Sequence, residues 1–127
     1  MQELRREERL IMLTLPIKKK WFDMILSGEK KEEYREIKPY YTTRFKNAGM
    51  CPDPLGIDEF HVLRKPEEFR QTEVIFRNGY SSDAPSFIAK VYLTTDCGKP
   101  EWGAEPGVKY YCLKIVEIIE TYKCTAT

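Results

Sequence analysis

The sequence predicts an α+β domain, in which one or two helices pack on a small curved sheet or β-barrel. Three observations lead to this fold class: an amphipathic run that stops at Gly28, a charged segment at 28–35 that suits a strand, and a second half in which apolar residues alternate between turn residues. At 127 residues, the chain is expected to form a single domain over 1–127 that buries its own core.

The chain begins with a predicted strand and helix. Residues 1–9 are mostly charged and are expected to form a tail or a short helix, whereas 10–15 are rich in Leu and Ile and predict the first strand. Pro16 suits the first turn of a helix, where its missing N–H costs nothing. Gly28 is expected to cap this helix, because glycine tolerates the left-handed conformation that ends helices. The apolar face between them is formed by Ile17, Trp21, Met24 and Ile25.

The charged octet 28–35 crowds ionised side chains and a tyrosine directly after the glycine. In a helix, Lys30 and Glu33 would be neighbours, while Glu33 and Arg35 would diverge. In a strand, Glu33 and Arg35 share a face, and Lys30 lies in the turn that leads in. The glycine stop favours the strand.

Two segments separate this strand from the second half. Residues 37–48 predict a short helix that starts at Pro39. Residues 47–68 contain three prolines and no clear period, which indicates a long irregular excursion with one helical turn near 67–69. A connection of this length inside a small domain is often functional.

The second half predicts a run of strands. Residues 71–77 and 86–94 alternate apolar and polar side chains, and Asn78-Gly79 between them is the strongest short signal for a hairpin. The segments that follow are a glycine- and proline-rich loop and a long apolar strand, bulged or bent, at 96–107 and 108–121.

Composition excludes several classes of protein. No apolar run reaches the roughly 20 residues of a transmembrane helix, so no membrane partner is expected. The charged N-terminus lacks the core of a signal peptide, which makes the cytoplasm the default location. Four scattered cysteines and a single histidine, His61, predict neither a metal site nor a catalytic Cys–His pair. The chain has no phosphate loop, dinucleotide fingerprint or Ser-centred nucleophile elbow, and no cofactor is predicted.

The charge is distributed unevenly although the net charge is only +1. Residues 1–50 carry 12 Lys and Arg against 8 Asp and Glu, whereas residues 51–127 carry 9 against 12. This asymmetry gives one basic face, suited to phosphate, unless folding disperses the charges over the surface. The run Lys18-Lys19-Lys20 by itself is interpreted as a solvated helix face.

Lys30, Glu33 and Arg35 are the strongest candidates for chemistry. A lysine of lowered pKa beside a carboxylate can serve as an acid/base pair. Equally, the two cations can bind phosphate while Glu33 accepts a hydrogen bond from a base amino group. A surface ion-pair cluster without function is the competing interpretation. Further candidates for contacting nucleic acid, with the tyrosines stacking on bases, are Tyr34, Lys38, Tyr40, Asn78 and Tyr80.

At this octet the sequence resembles the ASCH domain family, a branch of the PUA-like superfamily. The family signature G-x-K-x-x-E-x-R is filled by Gly28, Lys30, Glu33 and Arg35. The flanking segments are also similar: WFDMILSGEKKEEYREIKPYY around the motif, and VIFRNGY and EWGAEPGVKYYCLKIVEII later in the chain. The resemblance implies a PUA-like β-barrel with the motif lining a cleft, and RNA or a modified nucleoside or nucleotide as the partner.

The resemblance also bears on catalysis. Some small bacterial members hydrolyse acetylated cytidine with a lysine, a threonine and a glutamate. The lysine matches Lys30, but the threonine position holds Glu33, and a carboxylate does not replace a hydroxyl nucleophile. Three functions therefore stay open. The leading one is binding of RNA or a modified nucleotide; the alternatives are a nucleoside- or RNA-acting hydrolase with Lys30 and Glu33 as its acid/base pair, and a protein-interaction adaptor that uses 47–68.

Overall fold

The computed structural model describes residues 12–50, 53–54 and 69–122. Two helices and a mixed sheet confirm the α+β class. The elements, in chain order, are β1 (Thr14–Ile17), α1 (Lys19–Leu26), β2 (Glu32–Glu36), α2 (Pro39–Asn47), β3 (Asp53–Pro54), β4 (Thr72–Asn78), β5 (Ser86–Cys97), a single 3-10 turn (Pro100–Trp102) and β6 (Lys109–Tyr122).

The strands form one sheet with the path β1-β4-β5-β6-β2, and the two-residue β3 lies beside β5 off this path. β1 pairs in parallel with β4, and β3 with β5, whereas the other neighbours are antiparallel. Within the described residues, β1 and β2 are the two ends of the path and do not pair with each other. The sheet is therefore not closed into a barrel by backbone hydrogen bonds.

The longest strand pair bends. β5 and β6 pair from Ser86↔Tyr122 to Cys97↔Lys109, with register shifts between Ile88 and Ala89 and between Lys90 and Val91. Each shift leaves an extra residue on β6 and increases the local twist of the ladder. The predicted bulged strand is confirmed, and its curvature lets the sheet wrap around a core.

The core lies between α1, α2 and the concave side of the sheet. Phe22 of α1 packs against Phe87 with ring centroids 5.0 Å apart, and Phe76 packs against the same ring at 5.4 Å. Phe45 of α2 meets Tyr111 of β6 edge-on at 5.2 Å. Both helices therefore bury their apolar faces on the central strands β5 and β6.

Two local predictions are wrong. Pro16 lies inside β1 rather than at the start of a helix, which begins at Lys19. Proline is accepted there because β1 is an edge strand with only one neighbour. Asn78-Gly79 does not form a two-residue hairpin, because the connection runs over 79–85 and is closed by the Asn78 N–H donating to the Pro85 carbonyl at 2.9 Å.

The short helix from Pro39 and the strands at 71–77 and 86–94 are confirmed. The N-terminal tail and nearly all of the excursion at 47–68 fall outside the described residues, apart from α2's last residue, 48–50 and β3. Among the residues that are described, no helix combines the length and apolar character that crossing a bilayer requires.

Candidate functional site

The turn after α1 is built by Gly28. Its φ of +86° is left-handed, and its N–H donates to the Ile25 carbonyl at 3.1 Å. The Lys30 N–H then donates to the Met24 carbonyl at 2.9 Å, so that the chain turns back under the helix. The predicted glycine cap is confirmed, and it directs the Lys30 side chain inward rather than toward solvent.

β2 brings the charged groups of the motif together. It pairs with β6 through Glu33↔Leu113 and Arg35↔Tyr111, so Glu33 and Arg35 share one face. The Glu33 Oε1 accepts from Lys30 Nζ at 2.8 Å, and its Oε2 accepts from Arg35 Nη2 at 2.9 Å. The strand interpretation of the octet is therefore confirmed, with one carboxylate held between two cations.

Lys30 is a buried cation. Its side chain is only 1% exposed, and besides Glu33 its Nζ donates to the backbone carbonyl of Trp102 at 2.9 Å. The rings of Trp21 and Tyr34 lie 4.7 Å and 5.2 Å from the same nitrogen. Burial lowers the pKa of Lys30 below its ordinary value; the charge of Glu33 opposes this effect, and the positive charge of Arg35 adds to it.

Arg35 connects the two ends of the sheet. Its Nη2 donates to the Pro16 carbonyl of β1 at 2.8 Å, and its Nη1 lies 3.4 Å from the Tyr41 hydroxyl. Within the described part of the chain, its buried Nε has no hydrogen-bond partner. A single guanidinium thus bridges the edges of β1 and β2, where a ladder of backbone hydrogen bonds would close a barrel.

A cleft of about 520 Å³ opens beside this bridge. That volume falls in the range of small-molecule sites. Three basic residues, one acidic residue and three aromatic residues belong to its lining, which consists of Pro16, Ile17, Lys18, Lys19, Trp21, Glu33, Tyr34, Arg35, Asn78, Gly79 and Tyr80.

The structure separates the sequence-predicted site residues into two groups. Those at the cleft are Glu33, Tyr34, Arg35, Asn78 and Tyr80. Those outside its lining are Lys30, which lies behind Glu33, Gly28, which forms the helix cap, and Lys38 and Tyr40, which are exposed around the start of α2.

The outlying pair has its own neighbours. Lys38 Nζ lies 3.6 Å from a carboxylate oxygen of Glu36, and the ring of Tyr40 meets Tyr41 edge-on at 4.9 Å. Tyr41 in turn contacts Arg35 of the cleft lining, so Tyr40 is connected with the cleft only through an intervening side chain.

Sequence reasoning missed one side of the cleft. Lys18 and Lys19, which the sequence predicts to form a solvated helix face, line it together with Trp21, which the sequence places only on the apolar face of the helix. The Trp102 carbonyl that holds Lys30 was also missed, because it lies 72 residues along the chain. The sequence does contain a signal for Lys18, Lys19 and Trp21: a lysine run lies next to a tryptophan at the point where a strand leads into a helix.

The residues that the structure describes contain no group of three or more His, Cys, Asp or Glu side chains that could hold a metal ion. Glu33 is the only carboxylate among the lining residues, and lysine and arginine nitrogens already occupy both of its oxygens. This arrangement can bind an anion through its cationic side chains, stack a planar ring on its aromatic side chains, and accept one hydrogen bond at a fixed position.

Comparisons with protein family models, with curated protein sequences and with solved structures found no match to this chain. The site is therefore interpreted from its own geometry and from the motif that builds it.

Proposed function

We propose that this chain is an ASCH-type domain that binds RNA or a modified nucleotide in the cleft beside the G-x-K-x-x-E-x-R motif. The observation that carries the proposal is the lining of this cleft, where aromatic rings, cations and one carboxylate lie together. A nucleotide presents the three complementary groups: a base with two π-faces, a phosphate, and hydrogen-bond donors along the base edge.

The aromatic side chains supply stacking surfaces. Tyr80 is 90% exposed at the cleft, which is unusual for a large ring, and its face is free to accept a base. Trp21 is half-buried and lines the same cleft. Base–aromatic stacking tolerates any sequence, because every base has a π-face.

The charged side chains divide into two roles. Lys18 and Lys19 are both exposed at the cleft, and Lys19 Nζ also pairs with Asp23 at 2.6 Å on the helix surface. Exposed cations at such positions contact phosphate and set the register of a nucleic acid. Glu33 accepts from an exocyclic amine of the base, because a carboxylate has about four acceptor sites and its two protein partners leave about two of them unused.

The curvature of the sheet supports the PUA-like barrel that the motif implies. The path β1-β4-β5-β6-β2 bends enough that its two ends are joined by the Arg35 side chain, which reaches the Pro16 carbonyl at 2.8 Å. We propose that the fold is an open form of this barrel and that the ligand cleft lies at the opening.

A titration of the chain with a short single-stranded RNA of mixed sequence, and with the four ribonucleoside 5′-monophosphates, tests the proposal. RNA affinity is expected to fall with salt, with a slope of about −0.7 per phosphate contacted. The double variant Lys18→Ala/Lys19→Ala is expected to weaken binding and to flatten that slope. Lys46→Ala/Lys109→Ala removes two exposed lysines that do not line the cleft and is the matched control.

Two results would contradict the proposal: no binding of any of these ligands, or equal losses of affinity in the two double variants. The second result would mean that RNA is held by general surface charge rather than in the cleft.

One observation favours a second function, hydrolysis of a modified nucleoside or of RNA. Lys30 Nζ lies 2.8 Å from Glu33 Oε1, and burial lowers the pKa of Lys30, as an acid/base pair requires. In this mechanism Glu33 accepts a proton from the water that attacks the scissile bond, Lys30 shares this proton through its hydrogen bond to Glu33, and the proton passes to the leaving group as that bond breaks. Incubation with acetylated cytidine, other modified nucleosides and short RNAs, followed by mass spectrometry, decides the matter. Product formed by the wild type and not by Glu33→Gln, assayed at a temperature at which circular dichroism shows the variant to be folded, supports hydrolysis. An absence of product from every substrate rejects it.

A further inference from the structure

The connection between β5 and β6 packs directly behind the cleft. Residues 98–104, here called the Gly98 loop, include the 3-10 turn and are held by their own backbone: the N–H groups of Trp102 and Ala104 donate to the Lys99 carbonyl at 2.9 and 3.2 Å. Ala104 is buried and anchors the end of the loop. None of the loop residues lines the cleft.

The loop contacts three groups of the site, each through a different residue. The Trp102 carbonyl accepts from Lys30 Nζ at 2.9 Å, and the Lys99 N–H donates to the Tyr34 hydroxyl at 3.0 Å. The third contact is steric, because a Cβ built on Gly103 would lie 3.0 Å from Cζ2 of Trp21.

Two glycines of the loop are required by these approaches. A Cβ on Gly98 would lie 2.7 Å from Cε1 and Cζ of the Tyr34 ring and equally close to Cβ of Ala104, a distance that real side chains do not adopt. Gly103 has φ of +101°, so it combines the left-handed backbone with the close approach to Trp21.

We propose that the Gly98 loop is a positioning element for the cleft: it fixes the Trp21 ring, against which the ligand stacks, and the Tyr34 side chain of the motif strand, and it fixes Lys30, which in turn holds the Glu33 carboxylate. The inference rests on the proposed function, since it assigns the loop a role in that same site. Its residues act through the groups they hold and do not touch the ligand.

The chain offers a matched pair of variants to test this role. Gly103 and Gly107 both have left-handed backbone, with φ of +101° and +79°, so an alanine strains the backbone at either position. Only the alanine at Gly103 meets Trp21, because a Cβ on Gly107 has nothing within 4 Å. Gly103→Ala therefore reports the contact with the cleft, and Gly107→Ala reports the backbone strain alone.

The chain has only two tryptophans, Trp21 and Trp102, and both belong to this region. Trp102→Phe retains the backbone carbonyl that binds Lys30 and leaves Trp21 as the single fluorophore. In this background, three quantities are measured for Gly103→Ala and Gly107→Ala: the thermal unfolding midpoint, the emission and acrylamide quenching of Trp21 without ligand, and the affinity for a short single-stranded RNA of mixed sequence.

We expect both variants to lower the unfolding midpoint to a similar extent. Only Gly103→Ala is expected to shift the Trp21 emission and to weaken RNA binding, by about tenfold, the effect of losing one base–aromatic stacking contact. Gly98→Ala extends the test to Tyr34; should it fail to fold, the Gly103 and Gly107 pair still decides.

The possible outcomes separate the loop's role from the proposed function. If Gly103→Ala matches Gly107→Ala in Trp21 emission, the loop does not position the ring and the inference is overturned. It is also overturned if the emission shifts but RNA affinity stays equal to that of Gly107→Ala. A shift of Trp21 in a protein whose wild type binds neither RNA nor nucleotides supports the positioning of the ring and rejects the proposed ligand.

Discussion

Neighbouring glutamates on β2 build two different charge networks. Glu33 faces the cleft and is held by Lys30 and Arg35, at 2.8 and 2.9 Å. Glu32 faces the other side of the sheet, where Lys114 Nζ donates to it at 2.7 Å and the Tyr34 hydroxyl at 2.9 Å. Each carboxylate thus has one lysine and one further donor, in almost the same geometry.

The pKa values of the two lysines are nevertheless shifted in opposite directions. At Lys30, whose side chain is 1% exposed, burial lowers the pKa more than Glu33 raises it, and Arg35 adds a like charge. At Lys114, 25% exposed, burial also lowers the pKa, but the hydrogen bond and charge of Glu32 outweigh it, and the pKa is raised. Because Lys30 is completely buried and lies near a second cation, its charge is unfavourable, whereas the charge of Lys114 is stabilised by its ion pair.

The largest expected effect is on stability, from removing one carboxylate at a time. Glu33→Gln leaves Lys30 and Arg35 buried without a counter-charge and is expected to lower the free energy of unfolding by about 3–5 kcal/mol. Glu32→Gln acts on a partly exposed pair and is expected to cost about 1 kcal/mol. Urea unfolding of both variants at neutral pH measures the difference, and equal costs would remove the distinction between the networks.

The second expected effect is a pH dependence of opposite sign. Because the folded pKa of Lys30 lies below its unfolded value of 10.5, its charged form costs stability at neutral pH, and that cost declines as pH rises from the folded pKa toward 10.5. Because the folded pKa of Lys114 lies above 10.5, its contribution is fully present below that pH and is lost as pH rises through the folded pKa.

This prediction is measured with Lys30→Met and Lys114→Met, as the difference in unfolding free energy from wild type at increasing pH. For Lys30→Met, the unfolding free energy of the wild type is expected to rise relative to that of the variant as the pH increases toward 10.5. For Lys114→Met, the difference is expected to stay constant until about pH 10.5 and then to decline. Parallel curves for the two variants would contradict the assignment.

The smallest expected effect concerns the thiol beside the outer network. Burial raises the pKa of Cys112 to about 11, whereas Cys97 is exposed at the end of β5. Since the thiolate is the reactive form, iodoacetamide at neutral pH is expected to modify Cys97 and to leave Cys112 intact until the protein unfolds. Peptide mapping by mass spectrometry measures both sites, and rapid labelling of Cys112 in the native protein would show that this face opens.

Local sequence signals predicted most of the elements. Gly28 marked the end of α1, because only a left-handed residue satisfies that turn, and the octet followed as a strand once the helix had been stopped. Period-two alternation marked β4 and β5, although 74–76 and 87–89 are buried on both faces of the sheet. These features depend on a few neighbouring residues and are therefore visible in the sequence.

What the sequence did not predict depends on contacts between distant residues. Pro16 resembles a helix start until β1 is known to be an edge strand, and Lys18 resembles a solvated lysine until β2 and the loop after β4 form a cleft around it. The burial of Lys30 requires the Trp102 carbonyl, supplied by a loop that lies 72 residues further along the chain. The motif therefore predicted the position of the site but not the other residues that line the cleft.

The most direct test of the central claim, that a nucleotide binds between the motif strand and β1, is an NMR titration of the ¹⁵N-labelled chain with a short single-stranded RNA of mixed sequence. The largest amide shift changes are expected at 17–21, 33–35 and 78–80, which surround the cleft. Changes confined to the exposed surface of α2 around Tyr40, or none at saturating RNA, would contradict it.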